Sequence, residues 1–234
     1  MKDICLSVVL PVYSEKESVI EIVDWLRNNV KEYLHEVIII LAPKSDDECR
    51  KSCKDLEQKG HVRVSVQKRN PGLGLAFRQG LEEATGTHVL MLDSDGEMGL
   101  GSISKMIQKF EKTDCDVVVG SRWMKGGSVV GYDPLKYWYN RLFQQFFRIL
   151  FWTKVHDLTI GYKMMKNEVA KNITWGGKFH DIGTETTLKP IKYRYNVVEV
   201  PTLWKKRTRG KSKNNWINNS RYVMMALKIF FSIN

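Results

Sequence analysis

The chain has little of what marks an exported or membrane-spanning protein. Its 234 residues include four cysteines, Cys5, Cys49, Cys53 and Cys115, with no C-x-x-C spacing, so neither a disulfide framework nor a zinc site is indicated and reduced thiols are expected. No apolar run reaches the roughly 18 residues of a spanning helix. Residues 1–5 lead straight into a strand-like segment, without the apolar core and small-residue cleavage site of a secretory signal. Internal repeats and low-complexity tracts are also lacking, and acidic residues are in deficit. The 26 Asp and Glu against 37 Lys and Arg give a formal net charge of +11 and a pI near 9.4. Such an excess calls for an anionic partner: nucleic acid, a membrane surface or a phosphorylated substrate.

What is present supports one core. At 43% hydrophobic and 11% aromatic residues the chain can bury a sizeable interior. Residues 6–12, 37–41, 61–67, 89–92, 116–119 and 197–200 read as strands. Between them, helices run from a Ser14/Glu17 capping box to about Tyr33, from a Ser45/Glu48 capping box to near Gly60, over 73–84 and over 102–112. This alternation predicts an α/β fold: an open, mainly parallel, Rossmann-like sheet flanked by helices. The expected division is one domain over 1–215 and a C-terminal amphipathic segment over 216–234.

The stretch Asp93-Ser94-Asp95-Gly96-Glu97 leaves the carboxyl end of the 89–92 strand, the edge where open α/β sheets bind ligands. Its alternating carboxylates are hard oxygen ligands suited to Mg²⁺ or Mn²⁺. Read alone, the same acids serve equally well as a solvated turn and a helix cap. The Asn70-Pro71-Gly72-Leu73-Gly74 loop lacks the Gly-Lys-Ser/Thr ending of a P-loop and the third glycine of a dinucleotide fingerprint, so a tight turn is expected. Calcium is discarded, because Met98-Gly99-Leu100 interrupts any EF-hand spacing.

Two segments are rich in aromatics. Residues 134–152 form a predicted helix with Tyr137, Trp138, Tyr139, Phe143, Phe146, Phe147, Phe151 and Trp152, and with Lys136, Arg141 and Arg148 among them. At least half of these rings are expected in the core, the rest facing lipid. Residues 216–231 repeat the pattern and end too soon to span a bilayer. Between them the basic run 205–213 follows a strand and reads as a phosphate-binding surface.

Taken in order, these motifs resemble the family-2 glycosyltransferases of the GT-A fold, and within them the dolichyl- or polyprenyl-phosphate hexose synthases. The resemblance rests on residues 7–15, the 70–74 loop, Asp93 to Glu97, Val119-Gly120-Ser121-Arg122, residues 157–163, and 198–201 followed by 207–213. It implies that Pro11, Tyr13 and Glu15 hold the nucleotide base, and that Asp93, Ser94, Arg207 and Lys213 bind the nucleotide sugar. Asp93, Asp95 and Glu97 are implied metal ligands, with Glu97 where the family often has Gln. Asp95 and Arg122 are the implied catalytic pair. Arg122, Asp157, Lys163 and Ser212 are implied around the acceptor phosphate, with Lys163 where Arg is usual. One departure stands out: where the family has Asp-Asp-Gly-Ser after the second strand, this chain has Leu41-Ala42-Pro43-Lys44-Ser45, so a carboxylate near the base is missing and Asp46 or Asp47 is the nearest substitute.

The expected activity is an inverting transfer of a hexose from a nucleotide diphosphate sugar to a polyprenyl phosphate, dependent on Mg²⁺ or Mn²⁺. It is expected at the cytoplasmic face of a membrane, held peripherally and without nucleic acid. Rival readings are a family-2 enzyme acting on a sugar hydroxyl, a sugar nucleotidyltransferase releasing pyrophosphate, and a nonenzymatic module using only the basic surface. The last leaves the ordered acidic loop without a role.

Overall fold

A computed structural model describes residues 4–207 and 216–232. Seven strands form the main sheet: β1 (Leu6–Val12), β2 (Leu34–Leu41), β3 (Val62–Val66), β4 (His88–Met91), β5 (Val117–Ser121), β7 (Lys163–Lys166) and β8 (Val197–Pro201), in the order β3-β2-β1-β4-β7-β5-β8. The pairs β1–β2, β1–β4, β2–β3 and β5–β8 are parallel, whereas β7 runs antiparallel to both β4 and β5. Two short strands, β6 (Ser128–Val130) and β9 (Leu203–Lys205), make a separate ribbon.

Helices α1 (Glu17–Asn29), α2 (Asp47–Gln58), α3 (Leu73–Glu83) and α4 (Ser102–Lys112) connect the strands. Every residue of β1 is buried, and so is the Val37 to Leu41 end of β2, which is why both read as apolar runs, broken only by Ser7, rather than alternating ones. Gly74 is required by close packing: a Cβ there would lie 2.7 Å from the carbonyl oxygens of Gly177 and Phe179, so the start of α3 sits directly on the 177–179 backbone. Packing, not phosphate, accounts for the glycines of that loop.

The later helices are α5 (Pro134–Leu150), α6 (Asn167–Asn172), α7 (Asp181–Lys192) and α8 (Trp216–Phe231). A second, smaller apolar cluster joins α5, α7 and α8 through Phe147, Val155, Leu158, Leu188, Met225, Ala226 and Ile229. Lys192, in the last turn of α7, donates to the carbonyl of Ile229 at 2.5 Å and to that of Ser232, so it joins Ser232 Oγ in capping the end of α8.

Three expectations need correction. Neither capping box forms: α1 begins after Lys16 with no side-chain cap, and α2 is capped by Asp46, which accepts from Cys49 N at 2.8 Å. Ser14 instead turns its N–H toward Glu15, since the chain is still completing the β1 loop there. The 134–152 rings are less buried than expected. Only Phe147 is fully buried, Tyr137, Phe143 and Phe151 are half-buried, and Trp138, Tyr139, Phe146 and Trp152 are exposed. The antiparallel β7 and helices α6 and α7 were not anticipated. The four cysteines are free thiols, three of them buried. The expected boundary between 215 and 216 falls where one side lies outside the described residues.

Candidate active site

Strand β1 has β2 on one side and β4 on the other, so the chain order reverses at β1 and a crevice opens beyond its carboxyl end. Two loops meet in this crevice. Ser94 Oγ donates to the carbonyl of Pro11 at 2.5 Å, and Ser18 Oγ donates to the carbonyl of Ser94 at 2.6 Å. Pro11, Tyr13 and Glu15 are thereby brought beside Asp93, Ser94 and Asp95. Glu15 orders its own loop by accepting from the backbone N–H groups of Tyr13 and Ser14 at 2.8 and 3.0 Å. Tyr13 is exposed.

The carboxylate loop is held from the opposite side by β9. Gly99 N donates to the carbonyl of Leu203, and Lys205 N to that of Glu97, each at 2.8 Å. This pairing sets Trp204 and Arg207 over the acids. Trp204 Nε1 donates to Glu97 Oε2 at 2.9 Å, and Arg207 Nε to Glu97 Oε1 at 2.9 Å, while Arg207 Nη2 lies 3.3 Å from Asp95 Oδ2. Both oxygens of Glu97 are thus engaged by protein donors. Asp93 faces the 157–161 segment, with Oδ2 only 3.7 Å from where a Cβ on Gly161 would stand.

The site carries more negative charge than its surroundings neutralise. Burial, and then the neighbouring Asp95 and Glu97, push the Asp93 carboxyl up to about 8. Burial and Glu97 push Asp95 up to about 6, with Arg207 opposing. Among the described residues no group of three or more His, Cys, Asp or Glu is arranged to hold a metal ion unaided. Two adjacent carboxylates short of positive charge, open to a crevice, nevertheless fit a hard divalent cation that takes its remaining ligands from a diphosphate and water.

A second group of residues lies across the crevice. Arg122, at the end of β5, makes a bidentate pair with Asp157: Nε to Oδ2 at 2.8 Å and Nη2 to Oδ1 at 2.9 Å. Arg122 Nη2 also donates to Thr159 Oγ1 at 3.0 Å. Burial works against the guanidinium charge, but Asp157 outweighs it and holds Arg122 above its usual range. Among the described residues Nη1 has no hydrogen-bond partner, which leaves it for a ligand oxygen. Asp157 is fully buried and acts on Arg122 rather than on anything in solvent. A line of edge-on rings joins the two groups: Trp204 to Tyr132 at 5.0 Å, Tyr132 to Trp123 at 6.0 Å, and Trp123 to Tyr137 of α5 at 5.3 Å.

The expectation for Lys163 is corrected. Its side chain is fully buried in β7, where Nζ donates to the carbonyl of Gly183 at 2.7 Å and to Thr187 Oγ1 at 2.5 Å. Burial brings its amine down to about 7, and it does not reach a bound phosphate from there. Ser212 and Lys213 lie outside the described residues. Asp46, named as the nearest substitute for the missing base-site carboxylate, caps α2 with Oδ1, which also lies 3.4 Å from Lys16 Nζ, and Asp47 is the first residue of that helix. Gln144, Thr159, Glu199 and Trp204 were missed by the sequence reading, since a lone Gln inside an aromatic helix or a Trp before a basic run carries no local signal of its partners.

The comparisons concern the family and the fold. The family model for glycosyl transferase family 2 matches residues 7–174. Among curated proteins, the dolichol-phosphate mannosyltransferase of Pyrococcus furiosus is 27% identical over 213 residues, covering 89% of this chain, which spans only 58% of that protein. The polyprenol monophosphomannose synthase of Mycolicibacterium smegmatis is 26% identical over 219 residues, with 90% of this chain and 81% of that protein covered. Among solved structures, glucosyl-3-phosphoglycerate synthase from Mycobacterium tuberculosis, in complex with Mn²⁺, uridine diphosphate and phosphoglyceric acid, superposes with a TM-score of 0.73 at 13% identity, covering 98% of this chain and 80% of that one. The same enzyme with Mn²⁺ and uridine-diphosphate-glucose gives 0.75 at 16% identity, covering 98% and 80%. The likeness at that identity is one of fold, which is GT-A, and with the family model spanning well over half its length the chain belongs to glycosyl transferase family 2.

Proposed function

We propose that the chain transfers a hexose, with inversion, from a nucleotide diphosphate sugar to the phosphate of a polyprenyl or dolichyl lipid, using Mg²⁺ or Mn²⁺. The observation that carries this reading is the meeting of three features at one sheet edge. These are the Asp93/Asp95 pair backed by Arg207, the Arg122–Asp157 pair across the crevice, and the exposed apolar face of α5 beside them. The names of the two curated relatives supply the acceptor class.

In this reading Tyr13, Pro11 and Glu15 frame the base, and Asp93 and Asp95 hold the divalent cation. Once bound, that cation contributes positive charge against which the nucleoside diphosphate departs. Arg207, fixed by Glu97, adds a second positive group on the same side, and Lys213 is proposed to join it. Arg122 presents Nη1 to the acceptor phosphate, with Ser212 proposed alongside. Because a phosphate monoester is largely dianionic above a second pKa of about 6, no carboxylate is needed to remove a proton from the nucleophile.

Peripheral docking at the cytoplasmic face of a membrane belongs to the same proposal. On α5, Leu135, Trp138, Tyr139, Leu142, Phe146 and Ile149 are exposed, and α8 meets the far end of that helix where Phe151 and Phe230 pack at 5.6 Å. Among the described residues no helix is long and apolar enough to cross a membrane. An apolar helical face of this kind, flanked by Lys136, Arg141 and Arg148, suits an anionic lipid interface.

The test is incubation with a panel of labelled sugar nucleotides, Mg²⁺ or Mn²⁺ and polyprenyl phosphate. Label entering the organic phase only with the divalent cation, in a product of inverted anomeric configuration, is the expected result. Label appearing solely in a water-soluble glycoside, or release of pyrophosphate, would overturn the proposal in favour of a hydroxyl acceptor or a nucleotidyltransferase.

A further inference from the structure

Gln144 is the polar side chain that α5 buries, 1% exposed and one turn from Phe147. Its Oε1 accepts from Leu158 N at 2.7 Å. A backbone N–H only donates, so this bond fixes which way round the amide lies. Its Nε2 then donates to Asn140 Oδ1 at 2.9 Å and to Thr159 Oγ1 at 3.1 Å. The same Thr159 oxygen accepts from Arg122 Nη2 at 3.0 Å. One hydroxyl therefore stands between an amide of the outer helix and the guanidinium of the site.

The other end of this segment is anchored to the sheet. Glu199 on β8 accepts from Asp157 N at 3.0 Å and lies 2.8 Å from His156 Nδ1. Asp157 is thus pinned by β8, while Leu158 and Thr159 are pinned by α5, and Arg122 reads both. A methionine at 144 would fill similar volume beside Phe147 without a desolvated amide, and a buried amide is costly unless it is paired. The volume of Gln144 does not explain its chemistry; the two bonds to 158 and 159 do.

Resting on the reading that Arg122 faces the acceptor phosphate, we infer that Gln144 is a positioning residue that sets Arg122, through Thr159, in register with α5. The helix with the exposed apolar face is thereby the helix that aims the acceptor-side guanidinium. Among the described residues the hydrogen bonds that hold the donor side come from β9 and Arg207 rather than from this relay: Lys205 N donates to the carbonyl of Glu97, and Arg207 lies against Glu97 and Asp95.

The test is steady-state kinetics with each substrate varied, on the wild type, Gln144→Met, Thr159→Val, Thr159→Ser and the Gln144→Met/Thr159→Val double variant. The expected result is a fall of about tenfold in kcat/KM for polyprenyl phosphate in Gln144→Met and Thr159→Val, about the size of losing one hydrogen bond, which Thr159→Val takes from Arg122 directly and Gln144→Met takes from Thr159. The donor KM should stay within about twofold, well below that effect. Thr159→Ser should restore the acceptor parameter, and the double variant should be no worse than either single one, because the two residues act in series. Equal losses for donor and acceptor, or an unchanged acceptor parameter, would overturn the inference. If Gln144→Met does not fold, Thr159→Val carries the test, as its side chain is only half-buried. A wild type that transfers to no polyprenyl phosphate sinks the parent reading itself, a different result from an active enzyme indifferent to these changes.

Discussion

Arg207 Nε lies 2.9 Å from Glu97 Oε1, so the third acid of the crevice loop is already paired with a cation of the protein. Trp204 takes the other oxygen of the same carboxylate. Under the proposed function Glu97 is therefore better placed to hold Arg207 than to ligate a metal, which sets it apart from the two aspartates although all three sit in one short run. A glutamine at this position would keep a carbonyl oxygen for one of the two donors, which explains physically how either residue can serve.

Asp93→Asn and Asp95→Asn should each remove nearly all transfer activity while the protein still folds. Both carboxyls are pushed up by burial and by their acidic neighbours, so neutralising one relieves repulsion. Melting temperatures without metal should hold or rise, and the rise produced by Mn²⁺ in the wild type should vanish. Glu97→Gln should lose about tenfold, roughly 1.4 kcal/mol, through a less well held Arg207. Full turnover by both aspartate variants would remove the basis of the assignment.

Membrane docking through α5 should show in vesicle sedimentation. Leu142 and Ile149 are 65% and 73% exposed, so Leu142→Glu and Ile149→Glu touch the outer face without disturbing the core. Each should weaken binding to anionic vesicles about tenfold or more, because inserting such a side chain is worth about 1.5–3 kcal/mol. Raising salt should release part of the wild type, since screening weakens attraction between exposed charges and leaves apolar insertion intact. Binding indifferent to both substitutions would mean that α5 is not the docking face.

Lys163 gives a stability signature that depends on pH. Its amine is brought down by burial to about 7, against roughly 10.4 in an unfolded chain. Between these values the unfolded state binds more protons, so unfolding free energy increases as pH rises from about 7 to about 10.4 and the full penalty is felt below 7. Lys163→Met removes the titrating group, and the carbonyl of Gly183 retains Thr187 Oγ1 as a donor at 3.1 Å. The variant should be the more stable protein at neutral pH, by about 1–2 kcal/mol or some 2–8 °C, with the advantage shrinking toward pH 10. A constant difference across that range would show that the amine is not desolvated.

The sheet was legible because β1, apart from Ser7, and the Val37 to Leu41 part of β2 are apolar and their crossovers are amphipathic, and the carboxylate loop because its acids follow a buried strand directly. Lys163 was misread for a physical reason: a lysine near a motif looks like a surface cation, and only the antiparallel insertion of β7 between β4 and β5 turns it into the interior. The two capping boxes failed because a Ser three residues before a Glu does not fix where the helix starts, and Asp46 outcompetes Ser45 at the second. Partners far apart in sequence, such as Gln144 with Leu158 and Trp204 with Glu97, depend on loop closures that no local pattern encodes.

Glu185 tests whether the reaction needs a base. It is the acid most easily mistaken for one, as it follows the acceptor-side segment and lies within a helix-borne Gly-Thr-Glu-Thr run. In the folded chain its carboxylate is 1% exposed, accepts from the backbone N–H of Gly176 and Gly177 at 2.8 and 2.7 Å, and pairs with Lys189 at 2.6 Å. All of that describes a clamp on the 176–177 turn, which in turn supports the start of α3. Glu185→Gln should therefore cost stability, about 1–3 kcal/mol, because one end of the amide must face an N–H it cannot accept from. Turnover at a temperature where the variant is folded should fall by less than tenfold, under about 1.4 kcal/mol of barrier. Loss of a general base costs about 10²- to 10⁴-fold. A loss of that size in Glu185→Gln, recovered by raising the pH or adding an external base, would show that a proton leaves the nucleophile and would move the acceptor from a phosphate to a hydroxyl.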